Sequence, residues 1–155
     1  MNKNSKYSTG ENNVEIDLSK GKNFNIIYDE QYLLNNGVNY KKGLELFGDI
    51  DTYKSMLLDW FNESNNKFEK IKFSKLNHDM QNYAVAVHAL KSDSKYFGFE
   101  KLALIAYEHE MKSKSGDEEY INTNFKFLEN EFNKVIIIVG KYLNNKWFVY
   151  FIDNR

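Results

Sequence analysis

From residue 49 onward the apolar positions recur at intervals of three and four, the period of helices that bury one face. Tyr53, Met56, Leu57, Trp60 and Phe61, continuing toward Phe68 and Ile71, predict a first long helix, with Asp49 or Asp51 placed to cap it. Asn62, Asn65 and Asn66 are poor helix formers and mark where that helix would kink or end early. A second begins at Asn77 or Asp79, carries Tyr83, Ala86, Val87, Leu90 and Phe97, and closes at Gly98. A third runs from about Glu100 to Lys114 with Leu102, Ile105, Ala106 and Met111 inward, and Gly116 ends it. A fourth starts near Asp117 and carries Tyr120, Ile121, Phe125, Leu128, Phe132, Val135, Ile136 and Val139.

Shorter elements precede these. Tyr32, Leu33 and Leu34 suggest a brief helix stopped by Asn35, Asn36 and Gly37, and the segment Tyr40 to Phe47 suggests another, broken by Gly48. Residues 1–28 are polar and read as a flexible leader or linker, although Val14, Ile16 and Leu18 alternate with Glu15 and Asp17 as in a short strand. Trp147 to Ile152 is aromatic and β-branched and is expected to pack back on the bundle, since such a run in water would form an adhesive patch. Short connections between long amphipathic helices favour an all-α fold: an antiparallel up-and-down four-helix bundle with short additional N-terminal helices, occupying 29–155.

Composition narrows the function. The 155 residues suffice for one domain and one core, which 12 Phe and 11 Tyr can fill. A formal charge of −1 provides no strong positive field for a nucleic-acid backbone. With no cysteine, disulfide and thiol chemistry are excluded, which fits a reducing compartment. No apolar run approaches the roughly 20 residues that span a bilayer, so membrane insertion is not expected and a cytoplasmic protein is.

The candidate chemistry centres on His88. At about 100° per residue, Gln81, Ala84, Lys91, Ser92 and Lys95 fall within roughly 60° of it, while Ala86, Leu90 and Phe97 lie nearly opposite. The ring is thus aimed outward between two ammonium groups, where it could hold an anion, a phosphoryl group most economically. Lys91 and Lys95 would steady such a group as mobile point charges. Small Ala84 and Ser92 leave room beside the ring, and Val85 and Tyr96 border it as apolar margins. His78 reads as a capping or surface residue. His109 has no second histidine three or four residues away to make a helical chelate, so no metal site is expected. A metal-dependent hydrolase would require the rings of His78, His88 and His109 to converge.

The run from His88 to Gly98, with Lys91 at the third following position, Ser92 at the fourth, Ser94 at the sixth and Gly98 at the tenth, resembles the motif of histidine phosphotransfer (HPt) domains. Gly43 to Asp49 followed by Tyr53, Leu57, Leu58 and Phe61 is similar to that family's opening segment and first bundle helix, and the likeness covers about residues 38–143. It implies a phosphorelay carrier with His88 as phosphoacceptor, Lys91 and Lys95 stabilising the phosphoryl group, and Gln81, Ala84, Val85, Ser92, Tyr96 and Gly98 giving a partner access. It also implies partners, the receiver domains of response regulators and a hybrid histidine kinase, with Mg²⁺ on the receiver and no cofactor on this chain, taken as monomeric. No Gly-rich phosphate cradle is present, so the chain is expected to be an intermediate without its own ATP site. Glu110 falls near a recurring acidic position and is given no catalytic role. A degenerate, binding-only helical adaptor is the alternative.

Overall fold

The computed structural model describes residues 8–9, 14–16 and 26–143. Among the described residues six helices follow one another: α1 (Glu30–Asn35), α2 (Tyr40–Phe47), α3 (Ile50–Leu76), α4 (Met80–Phe97), α5 (Glu100–Lys114) and α6 (Glu118–Leu143). Three short strands precede them: β1 (Ser8–Thr9), β2 (Val14–Ile16) and β3 (Ile26–Tyr28). They form an antiparallel sheet in that order, Val14 opposite Tyr28 and Ser8 opposite Glu15. The region expected to be a leader thus contributes this small sheet, and β3 lies against α6. Leu18 and the aromatic segment Trp147 to Ile152 lie outside the described residues.

The ends of the helices follow from local chemistry. Asp29, Asp49 and Asp79 each accept a hydrogen bond from the backbone N–H three residues on, at Tyr32, Thr52 and Asn82, and so satisfy a donor the helix leaves open. Asp117 does the same for Tyr120. α3 runs unbroken through Asn62, Asn65 and Asn66, which face solvent. Their combined propensity cost, at most about 0.7 kcal/mol each, is smaller than the burial of Trp60, Phe68 and Ile71 on the opposite face, worth roughly 1.5–3 kcal/mol per side chain.

The core lies between the four long helices. α4 packs on both α3 and α5, α5 on α6, and α6 on α3, which closes a ring of helix contacts. Phe68 and Phe132 stack with centroids 4.2 Å apart, and Trp60 lies 4.9 Å from Phe99. The buried Tyr53 hydroxyl donates to the Phe97 carbonyl at 2.7 Å.

Gly98 is set by packing. It has φ +85° and a left-handed conformation, and a Cβ there would meet the Asn39 carbonyl oxygen at 2.0 Å. The Asn39 N–H donates to the Gly98 carbonyl at 2.8 Å, and Val38 pairs with Phe99 as an isolated bridge. The segment joining α1 to α2 is therefore sewn onto the turn between α4 and α5. In α5 the inward face differs from expectation: Met111 is exposed, whereas His109, Glu110 and Ser113 are buried beside Leu102, Ala103 and Ala106. Glu110 and His109 Nδ1 meet Tyr83, His88 and Lys91 on α4, and the Ser113 hydroxyl donates to the His109 and Glu110 carbonyls of its own helix.

Candidate functional site

His88 sits on the third turn of α4, facing the seam with α5, and its side chain is 56% exposed. Its Nδ1 lies 2.8 Å from Oε1 of Glu110, which projects from α5 and is itself only 3% exposed. Lys91, one turn along α4, donates to Oε2 of the same carboxylate at 2.6 Å. Lys114, one turn along α5, donates to Oε1 at 2.6 Å. One carboxylate thus gathers three donors from two helices. Burial works against the charge on Glu110, but hydrogen bonds from Lys114, Lys91 and His88 outweigh it and hold the carboxyl down at about 2.

The protonation of the ring follows. A carboxylate this acidic is an acceptor only, so Nδ1 carries the proton it shares with Glu110. In the neutral ring the lone pair then belongs to Nε2, which makes no hydrogen bond among the described residues. The two ammonium groups and one carboxylate leave a local excess of one positive charge beside a nitrogen that carries a lone pair whenever the ring is neutral. Such a nitrogen can act as a nucleophile.

The remaining expected residues divide. Gln81, Ala84 and Val85 line a cleft of about 570 Å³ together with His88, Glu110, Ser113, Lys114 and Gly116. Ala84 is buried in its wall, and Val85 is exposed at its edge. Ser92 and Tyr96 lie outside that cleft, Tyr96 half exposed. Lys95 does not line this cleft; it lines a different one, with Lys42 and Tyr107. Gly98, expected to open access for a partner, is buried against Asn39. The ring of His88 is pinned on one side by Glu110 and does not stand free between Lys91 and Lys95.

The three histidines have three separate partners. His78, at φ +56°, places Nδ1 3.1 Å from Glu118. His109 is buried, and its Nδ1 lies 2.7 Å from the Tyr83 hydroxyl. Burial pushes its ring toward the neutral form. No group of three or more potential metal ligands exists among the described residues, and no described helix is long and apolar enough to cross a membrane.

Glu110, noted from the sequence without a role, and Lys114 are the neighbours of His88 that a single-helix reading does not bring to it. They lie 22 and 26 residues beyond His88, on the next helix. The signal available in the sequence is the spacing Glu110 to Lys114, an i,i+4 acid–base pair on α5. Comparison of the chain with protein-family models, with curated proteins and with solved structures found no match.

Proposed function

We propose that this chain is a histidine phosphotransfer protein, carrying a phosphoryl group on Nε2 of His88 between aspartates of receiver domains. The four long helices are, in this reading, an up-and-down antiparallel bundle that presents α4 and α5 as a rigid pair. The observation that carries it is the grip of buried Glu110 on Nδ1 while the other ring nitrogen remains unbonded and the side chain half exposed.

The chemistry balances without a further group on this chain. The Nε2 lone pair attacks phosphorus of an aspartyl phosphate, the bond from phosphorus to the aspartyl oxygen breaks, and the aspartate leaves as a carboxylate. The Nδ1 proton stays in place, so the ring becomes a phosphorylated imidazolium whose positive charge is opposed by Glu110. Retaining that charge keeps the nitrogen a good leaving group, which suits a carrier that must give the phosphoryl group up again. Lys114, more than half exposed, and Lys91 are close enough to redirect toward the new phosphoryl oxygens. Phosphoryl transfer asks the protein mainly for position and charge neutralisation, and the Mg²⁺ it needs would sit on the receiver.

Apolar surface beside the site supports a protein partner. Val85 borders both the His88 cleft and a neighbouring groove of about 630 Å³ between α3 and α4. Phe73, 69% exposed, stands on the rim of that groove. Such margins around a polar centre suit a transient interface. A cytoplasmic setting follows from the same reading, since receivers and hybrid kinases signal there.

The test is to incubate the chain with a receiver domain preloaded with labelled phosphoryl group in Mg²⁺. Label appearing on this chain in an acid-labile, base-stable form, and absent in His88→Gln, is the expected result. Stable label on the receiver alone leaves the binding-only adaptor, and label that persists in His88→Gln rules out His88 as the acceptor.

A further inference from the structure

A second cleft, of about 540 Å³, opens between α2, α4 and α5, within the range of small-molecule sites. Its wall carries Ala103, Leu104 and Tyr107 from α5; Leu104 is 60% and Tyr107 46% exposed, so apolar surface there meets water. Two cations stand at its edge. Lys42 is neutralised by Glu100, 2.7 Å away, which also accepts from Asn39. Lys95 has no acidic partner among the described residues. Ser94 lies in the wall between them, and its hydroxyl is buried with no hydrogen-bond partner. A concave surface with exposed apolar side chains and one ammonium group that lacks an acidic partner among the described residues suits an amphipathic anion.

We propose that this cleft binds an organic anion with a flat apolar body, its acidic group paired with Lys95 and its body against Leu104 and Tyr107. The site is coupled to His88 by contact. Lys91 Nζ lies 5.6 Å from the centroid of the Tyr107 ring while donating to Glu110 at 2.6 Å. A body pressed against Tyr107 changes the surface on which Lys91 rests, and Lys91 in turn helps set the charge around Glu110. The inference goes beyond phosphotransfer and stands without it, since binding is read directly.

The experiment is a two-dimensional ¹H–¹⁵N NMR titration of the full chain with phenyl phosphate and with phenylacetate, using benzyl alcohol as the neutral counterpart. Saturable shifts at Lys95, Gly98, Leu104 and Tyr107 with the anions, accompanied by a shift at Lys91, are expected. Lys95→Gln should weaken both anions about two- to fivefold, the range an exposed ion pair is worth, while leaving benzyl alcohol unchanged. Lys95 is exposed, so the variant spectrum serves as its own check on folding. Shifts that grow without saturating, equal affinity in Lys95→Gln, or shifts centred on Gln81 and Lys114 would overturn the proposal. Saturation at Lys95 with Lys91 unmoved would overturn the coupling.

Discussion

Replacing Glu110 by glutamine keeps the shape of the side chain and removes its charge, leaving Lys91, Lys114 and His88 gathered around a neutral amide. The carboxyl is held at about 2 against an ordinary 4.5, a difference corresponding to a ceiling of about 3 kcal/mol. His88 and Lys114 are each 56% exposed and regain water when the carboxylate is lost. That lowers the expected loss to about 1–2 kcal/mol at pH 7, or roughly 3–6 °C in Tm for a chain of this length. The pH dependence identifies the cause. A carboxyl depressed in the folded chain adds stability that is complete above its unfolded value near 4.5 and disappears as pH falls toward 2. Denaturant unfolding of wild type and Glu110→Gln at pH 7, 4.5 and 2.5 should therefore show a gap that shrinks to about a quarter of its neutral value at the lowest pH. A gap of constant size over that range, or none at pH 7, would refute the electrostatic account of this cluster.

Gly98→Ala should destabilise by about 2 kcal/mol or more, since it combines a left-handed backbone with a Cβ 2.0 Å from the Asn39 carbonyl oxygen; chemical denaturation reads this, and a neutral result would mean that the α1–α2 connection shifts freely. His109 is buried with its ring biased toward neutrality, so it adds stability that is present above its unfolded value near 6.5 and lost as pH falls below it; His109→Gln should flatten the slope of stability between pH 7 and 5.5. Tyr83→Phe removes the hydroxyl bonded to His109 Nδ1 and should cost about 1–2 kcal/mol, measured as a lower denaturation midpoint with unchanged helical circular dichroism. His88→Gln, at a half-exposed position, should shift stability by less than about 1 kcal/mol while abolishing acid-labile label.

The helices were legible because their signals are local. Asp49 and Asp79 cap where an acid precedes an apolar-periodic run, and Gly98 stops α4 where a glycine follows one. Position 88 was also legible as a half-exposed ring on α4, since a helical wheel places residues on their own helix. What the wheel cannot place is the neighbour. Glu110 was passed over and Met111 assigned inward because α5 read alone favours an apolar interior, whereas its buried face is arranged around Tyr83, His88 and Lys91 on α4. Lys95 looked equivalent to Lys91 by angle, yet one turn of rise carries it to a different cleft. Gly98 looked like an opening for a partner because nothing near it in sequence announces Asn39, 59 positions earlier, whose backbone fills the space.

The stitch between Asn39 and Gly98 bears on where the smallest independently folding piece begins. Starting a shortened chain at Tyr40, where the second helix opens, would cut away Leu33 and Val38 and bare Phe99, all three fully enclosed in the intact protein. It would also free the carbonyl that terminates the histidine-bearing helix. A truncation chosen by helix count alone would thus unfasten the far end of the very rod on which the ring of His88 is mounted.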